Sequence, residues 1–279
     1  MPARGSGAVD LKVGHLHTHD AFRRRGAADI AKTHKEDTLD HTRFNHEGAA
    51  MNKIVILTGA GISAESGLGT FRDENGLWAQ HRIEDVATPE GFDANPKLVH
   101  DFYNMRRAES TKASPNSAHD ALAQLQKAFR GEVILVTQNV DDLHERAGAE
   151  TMHMHGALAG SLCAACGARW PSSLVTQPED PCPSCARPAT RPDIVWFGEM
   201  PYQMDEIYAH LGDCDLFAAI GTSGEVYPAA GFVQHANASG ADTIELNLEP
   251  SSTVSHFAQT RFGPATQTVP AWVSELTSG

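Results

Sequence analysis

The chain has 279 residues, is 41% hydrophobic and carries a formal net charge of −13. Such a length supports a sizeable core in one large domain or two smaller ones, and the acidic balance gives nucleic acid phosphates no general attraction while suiting basic partners such as lysine-bearing protein segments. No stretch approaches the roughly 18 apolar residues that cross a bilayer and the N-terminus lacks a secretory apolar core, so no membrane association and a cytoplasmic location are expected.

Residues 1–50 differ from the rest of the chain. GHLHTHD and KTHKEDTLDHTRFNHEG hold six of the 15 histidines amid mixed charge and little apolar periodicity, the composition of a disordered extension. His15, His17 and His19 have the chemistry for a metal, but nothing nearby would hold them in place, and a solvated tail is the simpler reading. Without this segment 14 basic residues face 28 acidic ones, a balance of −14, so the tail hides no basic domain.

From Met51 onward, short buried-type strands alternate with helical patterns. The strands are expected at IVILT (54–58), VILVTQ (133–138), TMHMH (151–155), LFAAIGT (216–222) and TIELNLE (243–249), several of them β-branched and nearly uncharged, as in a parallel sheet covered on both faces. SAHDALAQLQKAF (117–129) has apolar positions at helical spacing, with Asn116 or Ser117 as its N-cap. The expected fold class is therefore α/β, a Rossmann-like doubly wound parallel sheet, and no internal repeat argues for a solenoid. FRDENGLWAQHRIEDVATPEGFDANP (71–96) is rich in turn formers and charge and reads as a long loop over a ligand.

Four cysteines have the spacing Cys163-x2-Cys166-x15-Cys182-x2-Cys185, two knuckles that suit tetrahedral Zn2+ better than a disulfide pair in a cytoplasmic chain. Four thiolates saturate zinc and leave no position for water, so the metal is expected to be structural. Cys214 reads as a core residue. The cysteine module interrupts the sheet pattern, which makes it an inserted small domain of about 156–194, extended by part of 71–115, within a large domain of about 51–155 and 195–279.

After the first strand, TGAGISAESGLGTFR (58–72) places Gly59, Gly61 and Ala64 in the G-x-G-x-x-G/A pattern that brings backbone N–H groups to a pyrophosphate. A classical dehydrogenase would add a second strand ending in an acidic residue about 20 residues later. That strand is missing, and Glu84 and Asp85 lie near the right distance without one. Polar clusters instead end the later strands: TQNVDDLH (137–144), MHMHG (152–156), GTS (221–223) and NLE (247–249).

Taken in order, GAGISAESG, TQNVDDLH, HMHG, the paired CxxC, VWFGE (195–199), GTS and NLE make the chain from about residue 52 resemble the sirtuin family of NAD-dependent protein-lysine deacylases, of the bacterial CobB type. The resemblance implies NAD consumed as a co-substrate, with nicotinamide and O-acyl-ADP-ribose released and one structural Zn2+ on Cys163, Cys166, Cys182 and Cys185. It assigns Gly59, Ala60, Gly61, Glu65, Phe71, Arg72, Trp78, Gln138, Asn139, Val140, Asp141, Gly221, Thr222, Ser223, Asn247, Leu248, Glu249 and Ala265 to the NAD site. Phe71 would shield the cleaved ribose face, Asn139 would hold a water near the reacting carbon, and Asp141 would meet the carboxamide. Val195, Phe197 and Gly198 would meet the acyl-lysine substrate. Two departures stand out: Leu68-Gly69 replaces a common Ile-Pro, which loosens the loop, and Asp142 adds charge where glycine or asparagine is frequent.

In the family mechanism a histidine is the general base that carries the acyl group onto the ribose hydroxyls, and His155 holds that position. An imidazole titrates near neutral pH and can accept such a proton. His153 is the rival, since on a strand the two would face the same side. The neighbouring Gly156, read as permitting close substrate approach, favours His155.

Tyr103 and Arg106 lie three apart and share a helix face. In the family branch that removes succinyl and malonyl groups, such a Y-x-x-R pair reads the acyl carboxylate, and Ala87 matches the small residue that leaves room for it. The expected function is removal of acetyl and succinyl, with malonyl a further substrate, from acyl-lysine-bearing proteins by a monomer. The alternatives are mono-ADP-ribosyl transfer on the same fold, an NAD-dependent oxidoreductase disfavoured by the missing second strand, and a zinc-ribbon nucleic acid adaptor disfavoured by the charge.

Overall fold

A computed structural model describes residues 51–69 and 81–278. Six parallel strands form the main sheet: β1 (Lys53–Thr58), β2 (Glu132–Thr137), β3 (Met152–His153), β7 (Leu216–Ile220), β8 (Asp242–Asn247) and β9 (Gln259–Phe262). Their order is β3-β2-β1-β7-β8-β9, the doubly wound arrangement in which strand order reverses between β1 and β7. The single-turn helices α1 (Gly61–Ala64) and α6 (Leu143–Arg146) lie just beyond the ends of β1 and β2.

Side chains of the central strands β1, β7 and β8 alternate between two buried faces, which explains their largely apolar character. Ile54 and Ile56 of β1, with Leu135, Ala218, Ile220 and Ile244, pack against α5 (Ser117–Ala128) and α9 (Ala265–Thr277). Val55 and Leu57 face the other way, toward α7 (Met204–Gly212) and α8 (Phe232–Ala238). Asn116 caps α5, its side chain accepting from the Ala118 N–H while His119 bonds back to the Asn116 N–H. Cys214 is buried, as expected of a core thiol.

A second, antiparallel sheet has the order β5-β4-β6, built from β4 (Gly156–Cys163), β5 (Arg169–Pro171) and β6 (Thr190–Ile194). Of the long segment between β1 and β2, residues 83–110 pack toward this sheet, whereas α5 packs on the main one. Residues 83–94, expected as loop, form the short helices α2 (Ile83–Val86) and α3 (Pro89–Ala94), followed by α4 (Pro96–Ser110). Thr88 and Asn95 cap α3 and α4, and each helix has proline in its first turn, so the turn formers that suggested a loop are start signals. Val86, Ala87, Val99, Phe102 and Tyr103 from these helices share one apolar cluster with Val140, Leu158, Ile194 and Trp196.

Two further expectations need correction. The strand over 151–155 is shorter, with only Met152 and His153 pairing, so His155 lies past its end and strand alternation does not relate the two histidines. Gly156 has φ +76°, and a Cβ there would sit 2.1 Å from the Asp193 carbonyl, so the close pairing of β4 with β6 already requires a glycine there.

Candidate functional site

Because all six strands of the main sheet run parallel, their C-terminal ends open on one edge, with the switch point between β1 and β7. The two loops there interlock. Gly59 N–H donates to the Ile220 carbonyl at 3.0 Å and Gly61 N–H to the Gly221 carbonyl at 2.8 Å. A Cβ on Gly61 would lie 2.7 Å from Gly221 Cα, and Gly221 has φ +62°. These glycines therefore permit the approach of one protein loop to another at the place where a dinucleotide would lie. After β2, where a dehydrogenase would present its acid, stands Gln138.

Gln138 N–H donates to the Thr58 carbonyl at 2.9 Å, and its side-chain amide donates to Thr222 Oγ1 at 3.0 Å. Asn139 is buried, its amide donating to the Gly59 carbonyl and to Ser63 Oγ, both at 3.2 Å, so the side chain turns its Oδ1 away from those contacts. Asp141 is also buried: Oδ1 accepts from the Leu143 N–H and Oδ2 from Ser63 Oγ, both at 3.2 Å. Burial raises its pKa against the pull of these bonds and of His153 and Arg106.

The two histidines differ in partners. His153 is bonded at both ring nitrogens, Nδ1 to the Asn139 carbonyl at 3.0 Å and Nε2 to Glu145 at 2.8 Å. Burial lowers its pKa, but the Glu145 carboxylate and the Asn139 carbonyl outweigh that and leave it raised. His155 is half-buried, and its Nδ1 meets the Gln138 carbonyl at 3.1 Å. A carbonyl only accepts, so Nδ1 carries the proton and Nε2 keeps its lone pair, with no partner among the described residues. Burial holds the pKa of His155 below the usual histidine value, with the carbonyl opposing. This is the protonation state of a general base at neutral pH.

The sequence missed what lies behind Asn139 and Asp141. Ser63 serves both, and His119 and His144, buried with ring centroids 4.9 Å apart, close the space beneath. His144 Nε2 meets Thr58 Oγ1 at 3.0 Å, and Thr58 bonds Thr137 at 2.8 Å. Burial pushes His119 down to about 4 and His144 to about 3, so both are neutral. A histidine on the buried face of a helix was their only signal in the sequence.

Along the same edge, Asn247 donates to the Thr222 carbonyl at 2.8 Å and to the buried Glu245 at 3.2 Å, while the Ser252 N–H donates to the Ser223 carbonyl at 3.0 Å. Leu248 and Glu249 are exposed beside them. The Glu65 carboxylate accepts from the Thr266 N–H and hydroxyl, at 3.0 and 2.7 Å, at the start of α9, beside Ala265. Ala60 is half-buried in the first loop. Phe71, Arg72 and Trp78 lie outside the described residues.

Residues 195–198 join His155 to the small sheet. Val195 N–H donates to the His155 carbonyl at 3.0 Å and Phe197 N–H to the Ala87 carbonyl at 2.9 Å, leaving Phe197 and Gly198 exposed. Ala87 and Tyr103 are buried together with Trp196, whereas Arg106 is half-buried, its guanidinium 5.9 Å from the ring centroids of both Phe102 and Tyr103. Burial lowers the Arg106 pKa, with Tyr103, Asp141 and Glu109 opposing, which places its charge near the loop that carries Asp141.

The four module cysteines converge. Their Sγ atoms all lie within 4.8 Å of one another, with Cys163–Cys185 at 3.7 Å and Cys166–Cys182 at 3.8 Å. Those separations are far too long for a disulfide, and a ZnS4 tetrahedron with bonds of about 2.3 Å has sulfur–sulfur edges of about 3.8 Å. Each knuckle turns through a left-handed residue, Gly167 at φ +73° and Ala186 at φ +58°, so the donor set and the backbone both fit Zn2+.

The Sir2 family model matches residues 59–228. The NAD-dependent protein deacylase of Caulobacter vibrioides is 55% identical over 229 residues, covering 80% of this chain and 96% of that protein. The protein of the same description from Escherichia coli strain K12 is 54% identical, covering 81% and 83%. Among solved structures, a Sir2 homolog–NAD complex superposes with a TM-score of 0.76 at 34% identity, covering 82% of this chain and 90% of that one. Sir2Af2 bound to a myristoylated histone peptide superposes at 0.64 and 30%, covering 82% and 92%. With that likeness across the described fold, the chain belongs to the Sir2 family.

Proposed function

We propose that this protein is an NAD-dependent protein-lysine deacylase that uses His155 as general base. The observation that carries the reading is the His155 Nδ1 bond to the Gln138 carbonyl, which leaves Nε2 a neutral acceptor at the sheet edge against the start of the 138–141 loop. NAD, consumed as substrate, supplies the ribose that receives the acyl group once nicotinamide leaves. The loops at 59–61, 138–141, 221–223 and 247–249 would hold it, and His155 would take the proton of a ribose hydroxyl. Asn139, with its amide spent on Gly59 and Ser63, would offer Oδ1 to a water, and Asp141 would accept from the carboxamide. Residues 195–198, which leave β6 and turn at Phe197 and Gly198, would meet the acyl-lysine peptide, in keeping with exposed Phe197.

The acyl preference proposed is succinyl as well as acetyl. Tyr103 and Arg106 support it: Tyr103 packs in one cluster with Ala87, Arg106 lies over the Tyr103 ring, and Ala87 is joined to His155 through residues 195–197. A guanidinium in a partly desolvated wall binds a carboxylate by charge-assisted bonds of about 1.5–3 kcal/mol. Mass analysis of acetyl- and succinyl-lysine peptides incubated with NAD tests the whole reading. Nicotinamide, free lysine and O-acyl-ADP-ribose should rise together. ADP-ribosylated protein without loss of the acyl group would replace it by ADP-ribosyl transfer.

A further inference from the structure

We propose that Trp196 is a positioning residue for acyl selectivity, its indole N–H fixing the Tyr103 hydroxyl so that the phenol proton is offered to the carboxylate of the acyl group. This rests on the succinyl reading above.

Both side chains are buried, Trp196 at 2% and Tyr103 at 1% exposure, and Trp196 Nε1 lies 3.1 Å from the Tyr103 oxygen. An indole N–H can only donate, so the phenol oxygen accepts, and its single proton must point to another acceptor. None of the described residues supplies one. Burial raises the Tyr103 pKa against the opposing charges of Arg106 and Arg191 and the indole bond, so the phenol stays protonated and therefore a donor. One carboxylate oxygen facing Arg106 and Tyr103 would accept from both.

The indole is itself held from three sides. Arg191 stacks its guanidinium 3.5 Å from the Trp196 ring centroid and grips Glu199 through two bonds of 2.8 and 2.9 Å. Glu199 in turn accepts from the Trp196 backbone N–H at 2.9 Å, and the Phe92 ring lies 5.1 Å away. A ring so enclosed cannot turn its N–H from Tyr103. If the contact served only to satisfy the indole, Tyr103 would matter to Trp196 and not the reverse, and selectivity would not depend on the N–H.

The test is the ratio of succinyl to acetyl kcat/KM in Trp196→Phe, Tyr103→Phe, the double variant and Arg106→Met. Trp196→Phe should lower the ratio about tenfold, the scale of one buried hydrogen bond, chiefly by raising KM for the succinyl peptide. In the Tyr103→Phe background the same change should lower it no further. If Arg106→Met lowers the ratio but Trp196→Phe does not, or if the two aromatic changes multiply, the positioning role is overturned while the succinyl reading stands. Should Arg106→Met leave the ratio unchanged, the succinyl reading fails and this inference with it. A fold defect in Trp196→Phe is bypassed by placing 3-benzothienylalanine at position 196, which keeps the shape of the indole and lacks the donor; an unchanged ratio there also overturns the proposal.

Discussion

Replacing His155 by alanine separates the general base from its neighbour by kinetics and by pH. Loss of a general base costs about 10²–10⁴ in rate, or roughly 3–5 kcal/mol of barrier. The fold loses only the Nδ1 bond to the Gln138 carbonyl, about 1 kcal/mol, so the variant should stay folded. His153→Ala reverses the pattern. It removes bonds to the Asn139 carbonyl and to Glu145, and because Glu145 is 39% exposed we discount the pair to about 1–2 kcal/mol of stability, with far less effect on turnover.

The acid limb of kcat/KM carries the sign. A base works when neutral, so activity is lost as pH falls through its folded pKa. Burial places that of His155 below 6.5, whereas Glu145 places that of His153 above it. A profile on an acetyl-lysine peptide should therefore bend below pH 6.5, and Glu145→Gln should not move the bend. A bend above 6.5 that falls in Glu145→Gln, or equal rate losses for the two alanine variants, would refute the assignment.

Three other outcomes are expected. Chelation of zinc, or Cys163→Ser, should unfold the small sheet and abolish activity, read as a lowered Tm with metal release; a stably folded zinc-free protein with full turnover would contradict the structural role. Acid should destabilise the fold through His119 and His144: their folded pKa values of about 4 and about 3 lie below the unfolded 6.5, so the stability they contribute is complete above pH 6.5 and lost below it, about 2 kcal/mol per histidine at pH 5, and His144→Gln should flatten the urea-midpoint profile between pH 7 and 5. Arg106→Met should lose most desuccinylation, about ten- to a hundredfold, with a much smaller change in deacetylation, and a proportional fall on both peptides would make Arg106 a support of the fold.

The centre of the main sheet was legible because β1, β7 and β8 are buried on both faces, with mostly apolar side chains, and the two CxxC pairs because metal ligation fixes spacing. Shorter elements carried no such signal. Thr190–Ile194 contains Pro192, Gln259–Phe262 alternates burial over only four residues, and both pair through the backbone in ways that composition does not record. The helices at 83–94 were hidden by their own caps, since threonine, proline and asparagine also make turns. At the site, residues beside a strand end could be named from motifs, but Ser63, His119 and His144 act through contacts between segments 56 to 86 positions apart, which no local pattern encodes.

Those distant contacts also explain how a parallel sheet can hold a reactive group past its last rung. Strand pairing fixes the backbone only as far as Thr58, Thr137, His153, Ile220 and Asn247. Beyond it, side chains take over: His155 binds the Gln138 carbonyl, Gln138 binds Thr222, and Asn247 ties the Thr222 carbonyl to Glu245. The run crosses from the loop after β3 to the end of β8 without leaving the edge. Each bond contributes only about 1 kcal/mol, and their number matters less than their direction. A carbonyl at Nδ1 selects the tautomer of His155, and the carbonyl belongs to the residue that also contacts the loop after β7, so the base and the loops that would hold NAD are set by one connected framework.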